Sequence, residues 1–137
     1  MERSRVHYTA ENFLDAKAAT GASKALEVKA YRNWIVQVTA PANSSLTYKF
    51  AGAIGDTAPD FTAAQSTTNA YDFLEVADLQ DGSLIDGDTG VTIDNTTAAV
   101  NTRLFEVNVN ALDYFAILIP SYTDGSLSAS VTLTNNG

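Results

Sequence analysis

Residues 103–122, RLFEVNVNALDYFAILIPSY, limit the architectures open to this chain more than any other stretch. In the first arm Leu104, Glu106 and Asn108 alternate with Phe105, Val107 and Val109. One face is then apolar and the other mixed, as a half-buried strand requires. The second arm, Tyr114, Phe115, Ala116, Ile117, Leu118 and Ile119, carries no charge and fits a strand covered on both faces. Pro120 then removes a ladder donor and implies an edge or a bend. The short Asn-Ala-Leu-Asp segment between the arms reads as a tight connection, so the expectation is a central antiparallel hairpin. Its residues have the character of a core and not of a reaction centre.

The rest of the chain repeats this texture. ALEVKAY, NWIVQVTA and SLTYKFAGAI, from Ala25 onward, are β-branched or aromatic runs with period-two alternation. Pro41, Ala42, Asn43, Ser44 and Ser45 have the composition of a turn between antiparallel strands, because proline presets φ and Asn and Ser make local side-chain bonds. Residues 55–69, GDTAPDFTAAQSTTN, are small and polar around one aromatic, Phe61, and read as a long surface loop pinned by that ring. YDFLEVA alternates as a strand. The segment DLQDGSLIDGDTG is turn-rich, and Gly90-Val91-Thr92-Ile93 begins another strand. After a Thr-Asp-Gly-Ser turn, Leu127, Ala129, Val131 and Leu133 fall on one face of a final strand.

Residues 1–24 lack this alternation, and an Ala-rich portion suggests a short helix from about Asn12 to Ala19, ended by Gly21, with a peripheral first strand or turn as the alternative. The fold class expected is therefore all-β. It is an antiparallel β-sandwich or jelly-roll-like domain of about eight strands over residues 25–137, preceded by an extended N-terminal arm, residues 1–24. A barrel is the competing architecture.

Charge narrows the partners. The 137 residues carry a net charge of -8, which disfavours electrostatic wrapping of nucleic acid or of an anionic membrane. Six of the eight basic residues (Arg3, Arg5, Lys17, Lys24, Lys29, Arg32) precede Trp34, whereas nine acidic residues and no Lys or Arg lie between Phe50 and Thr102. Such polarity suits contact between the basic start of one subunit and an acidic surface of another, although a solvated acidic face has the same composition. There are no cysteines, so disulfides and thiolate metal sites are excluded. No run of about 18 apolar residues spans a bilayer, and Met1-Glu2-Arg3-Ser4-Arg5 is not followed by a signal-peptide core. Synthesis in the cytoplasm without such a signal is expected.

Reactive chemistry is sparse. His7 is the single histidine and has no Cys partner, so a nucleophilic triad or a zinc or copper site is a poor fit. No Gly-rich phosphate loop is present. Asp86-Gly87-Asp88-Thr89-Gly90 resembles half of a calcium loop, but Thr97 stands where an EF-hand needs its bidentate Glu. The Asp-Gly pairs around Asp78, Asp81, Asp86 and Asp88 are equally what turns require. No metal and no cofactor are expected. Glu75 and Glu106 are the carboxylates a glycosidase would draw on, with nothing to mark either as a buried acid. Trp34, Tyr48, Tyr71 and Tyr122 would bind sugar faces if they shared an exposed surface, and would otherwise be core.

Three phrases carry a resemblance: ATGASKALEVKAYRNWIVQV, the run from LTYKFAGAIGDTAPDF through DGDTGVTI, and RLFEVNVNALDYFAILIPSYTDGSLSASVTL. Tyr31-Arg32-Asn33, Pro59-Asp60-Phe61, Ala64-Gln65-Ser66 and Tyr71-Asp72 are the most recognisable pieces. Together they resemble small structural proteins of tailed bacteriophages. The resemblance implies a β-sandwich on the virion, a decoration or cement protein that binds the major capsid protein at the outer capsid surface. It also implies a homo-oligomer, a trimer, and carries no catalytic residue. An accessory module of the tail or fibre with a carbohydrate-binding role is the alternative. In this setting Arg3, Arg5, Phe13 and Leu14 of the arm are the candidate partner-binding residues.

Overall fold

The computed structural model describes residues 7–29, 31–94 and 100–134. Its strands are β1 (His7–Lys17), β2 (Gly21–Ala22), β3 (Leu26–Glu27), β4 (Asn33–Ala40), β5 (Ser45–Ala53), β6 (Asp72–Phe73), β7 (Val76–Asp78), β8 (Leu84–Ile85), β9 (Val91–Asp94), β10 (Asn101–Val107), β11 (Tyr114–Asp124) and β12 (Leu127–Thr134). They form two antiparallel six-stranded sheets. The first, here sheet A, has the order β1-β12-β4-β10-β7-β8; the second, sheet B, has β2-β11-β5-β6, with β3 also on β11 and β9 also on β5. The fold is an all-β sandwich, as expected, with more strands than expected because several are two-residue pieces.

The alternation written in the sequence does set which side chains meet between the sheets. From sheet A come Trp34, Val36 and Val38, Phe105 and Val107, and Leu127, Ala129, Val131 and Leu133; from sheet B come Leu46, Tyr48 and Phe50 with Phe115, Ile117 and Ile119. The rings of Trp34 and Phe115 lie 3.8 Å apart, and those of Phe50 and Phe105 5.2 Å apart, so aromatic contact ties the two sheets at their centre.

The expected hairpins are a different matter. β10 pairs with β4 and β7 in sheet A, whereas β11 pairs with β5, β2 and β3 in sheet B. Residues 103–122 are thus an arch from one sheet to the other and not a hairpin. The same holds for β4 to β5 across Pro41 and for β11 to β12 across Gly125. YDFLEVA also breaks, with β6 in sheet B and β7 in sheet A. A short turn only reverses the chain; which edge each strand then bonds is decided by where its apolar face finds partners. Positive φ at Asn43 (63°), Ala111 (72°) and Gly125 (84°) turns the backbone in these arches. Pro120 marks a bend, since the β11–β5 register shifts between Leu118 and Ser121.

The expected helix near Asn12 is a strand. β1 forms the edge of sheet A against β12, with register shifts between Ala10 and Leu14 and between Leu14 and Lys17. At these irregularities Asn12 and Ala16 have φ of 50° and 47°. Their N–H groups donate to Ser130 Oγ (3.0 Å) and Ser128 Oγ (2.9 Å). The bulges disturb the period-two pattern by which a strand is recognised, and β1 consequently has no strand signature in the sequence.

Candidate functional site

Arg3 and Arg5 lie outside the described residues, as does the side chain of His7. Phe13 and Leu14 are 9% and 3% exposed and belong to the main core, where Phe13 packs 6.4 Å from the Phe115 ring. They are therefore committed to their own chain and are not presented to a partner; the bulges of β1 turn them inward. The four aromatics do not share a surface. Trp34 and Tyr48 are fully buried between the sheets, and Tyr122 is half-buried, its hydroxyl donating to the Gly125 carbonyl (2.7 Å). Burial pushes the Tyr48 phenol far above its ordinary pKa, so it remains neutral in the core. A stacking platform for sugars is not assembled from these rings.

The acidic turns resolve into local structure. Asp81 Oδ1 accepts the Ser83 N–H at 2.9 Å and Asp86 Oδ1 accepts the Asp88 N–H at 2.8 Å, each closing a turn. Among the described residues, no group of three or more His, Cys, Asp and Glu is placed to hold a metal ion. Asp78 is different: it is 2% exposed and ion-paired with Arg103, which faces inward from β10. Glu75 and Glu106 are both exposed.

The feature that sequence reasoning located without its consequence is the long loop, residues 54–71. It folds over the outer face of sheet B and makes a second, smaller core. Ala51, Ala53, Ala116 and Leu118 of the strands meet Phe61 from the loop, with Tyr71, Phe73 and Tyr114 packed around them. Alanines at the outward positions of β5 and β11 leave space for the loop to approach the sheet. They were the available signal, since polar residues belong there if the face is solvated.

Internal hydrogen bonds hold the loop in shape. Asn69 Oδ1 accepts the Asp60 N–H (2.8 Å), and Asn69 Nδ2 donates to the carbonyls of Asp60 (2.9 Å) and Ala64 (3.1 Å). Tyr71 Oη donates to the Ala63 carbonyl (2.7 Å), and Tyr114 Oη donates to that of Asp56 (2.9 Å). Hydrogen bonds from the Thr62 hydroxyl and N–H hold the Asp60 carboxyl below its ordinary pKa.

Between this loop and the β2–β11 edge lies a cleft of about 530 Å³ whose walls include Phe61, Tyr71, Phe73, Leu118, Pro120 and Lys17. Its character is apolar with one cation at the wall. Lys49, the cross-strand neighbour of Leu118, places its ammonium 4.6 Å from the centroid of the Phe73 ring. The arrangement can bind a group that is apolar at its centre and anionic at its margin.

No family model and no curated protein matches the chain. Solved structures do. The SPBc2 prophage-derived protein YomS is similar with a TM-score of 0.71 at 12% identity, over 98% of this chain and 97% of that one. The PBSX exported protein XepA is similar with a TM-score of 0.72 at 15% identity, over 98% of this chain and 39% of that one. The chain thus spans well under half of XepA and nearly all of YomS. At these identities the likeness is one of fold.

Proposed function

We propose that the chain is a structural protein of a bacteriophage virion that acts through its surfaces, as a decoration protein bound to the major capsid protein on the outside of the shell. The observation that carries this reading is the end-to-end agreement in fold with the prophage-derived YomS, 97% of which is covered. The PBSX exported protein XepA shares the same fold over part of its length. The resemblance of residues 18–133 to small phage structural proteins points the same way. Two packed sheets and a contiguous core, closed without a disulfide, give the stable scaffold that a shell component needs. On this reading the protein catalyses no reaction and takes no cofactor.

The test is imaging of purified virions at a resolution that traces the chain. Density for it on the outer capsid surface supports the reading; density confined to the tail or fibres, or none on the particle, overturns it.

A further inference from the structure

We propose that the cleft between residues 54–71 and the β2–β11 edge is a socket for the β7–β8 turn of a second copy of this chain. The two surfaces are complementary and lie on different sheets. The socket is apolar, with Phe61, Tyr71, Phe73, Leu118 and Pro120 among its walls; Lys17 is the charged residue of its lining, the Lys49 ammonium stands over the Phe73 ring beside it, and the Asp60 carboxylate near Tyr71 is tied down by hydrogen bonds from Thr62. The turn sits at the free edge of sheet A. It exposes Leu79 (46%) and Leu84 (67%), two large apolar side chains. Asp81 lies between them, and Asp86 and Asp88 follow, all exposed.

An exposed leucine pair with carboxylates beside it matches an apolar cleft that has Lys17 in its wall and Lys49 next to it, in apolar area and in charge. Lys17 runs along the backbone at Gly21. A Cβ at Gly21 would come within 3.1 Å of Lys17 Cε and 3.3 Å of its Nζ, so the lysine lies across the bare glycine. The sequence polarity fits as well, because the socket lysines come from the basic N-terminal third and β5, and the turn comes from the stretch that has no Lys or Arg.

Socket and turn are different patches of one molecule, so the contact is head-to-tail and closes into a ring where the rotation allows. This goes beyond the capsid reading and does not depend on it. The experiment is analytical ultracentrifugation of the full chain and of three surface variants, Lys17→Glu, Ala64→Arg at a further residue of the cleft lining, and Leu84→Lys, with circular dichroism to verify folding. The wild type is expected to sediment as an oligomer that dissociates as salt is raised, and each variant as a folded monomer. Lys17→Glu keeps its turn and Leu84→Lys keeps its socket, so mixing the two monomers should restore a one-to-one dimer. A monomeric wild type, variants that remain oligomeric, or a mixture that stays monomeric would each overturn the proposal while leaving capsid binding to be judged on the virion.

Discussion

Asp78 of β7 and Arg103 of β10 form an ion pair on the inner side of sheet A, with the Asp78 side chain 3% exposed and that of Arg103 32% exposed. The neighbouring Tyr48 phenol reaches the same region from sheet B and feels the charge of both. The pair lies where the cores of the two sheets end, so it lets β7 run into a polar turn without leaving an unpaired charge inside.

Removing one partner strands the other. Asp78→Asn keeps an oxygen able to accept the Gln80 N–H, as Asp78 Oδ1 does at 2.9 Å, but removes the charge facing Arg103. Breaking a buried pair costs roughly 3–5 kcal/mol, and the partial exposure of Arg103 places this one near or below the lower end. Urea denaturation should show that loss, and Asp78→Asn combined with Arg103→Leu should recover part of it. Equal midpoints for the wild type and the single variant would remove the pair from any stabilising role.

Gly125 holds the arch between β11 and β12. Its φ is 84°, and a Cβ there would lie 2.5 Å from Ser44 Cα, in the arch between β4 and β5. The two arches touch at this point and admit no side chain. Gly125→Ala combines a strained backbone with overpacking, each costing about 1–3 kcal/mol. A thermal melt should fall by several degrees at least; an unchanged melt would show that the arches are not in contact.

Asn69→Ala removes the three hydrogen bonds that Asn69 makes to Asp60 and Ala64. The expected effect is local. Hydrogen exchange should accelerate across residues 55–69 while the amides of β4 and β11 keep their protection, because loops open below the global unfolding free energy. Uniform loss of protection would mean that the second core is part of the main folding unit.

Asp60 and Asp81 link these turns to pH. Hydrogen bonds from Thr62 lower the Asp60 pKa from 3.8, and bonds from Ser83 lower that of Asp81 from the same value. A carboxylate with a depressed folded pKa binds its proton more weakly than the unfolded chain does. Its contribution to stability is therefore present above the unfolded pKa and is lost as pH falls through the folded one. Both turns should loosen only in acid below the ordinary carboxylate value. Thr62→Ala should move the Asp60 titration, followed by NMR, back toward 3.8 and leave Asp81 unchanged; a static Asp60 titration would refute the assigned cause.

Ile117 is fully buried between Phe50 of β5 and the sheet A core. Ile117→Asp puts an unpaired charge there, at a cost comparable to the whole stability of a domain of this size. It should yield no cooperative unfolding transition, and a folded Ile117→Asp protein would show that the centre of the core lies elsewhere.

By itself the sequence determined the faces of the strands. Phe105 and Val107 opposite Leu104 and Glu106, or Leu127 through Leu133 at every second position, read correctly because a strand's side-chain period is a local property of the backbone. It also located the loop and the burial of Phe61. Only the tertiary structure decided which strands bond to which. The connections after Ala40, Val107 and Asp124 have hairpin composition and yet cross between sheets, since partner choice is non-local and the same few residues serve a hairpin or an arch. β1 was legible only as the alternative of a peripheral first strand, because its bulges break the period, and Phe13 and Leu14 went with it into the core. The cleft escaped notice for a related reason. Lys17, Phe61, Tyr71 and Leu118 are distant in sequence, and only the folding of the loop over the alanines of sheet B brings them to one place.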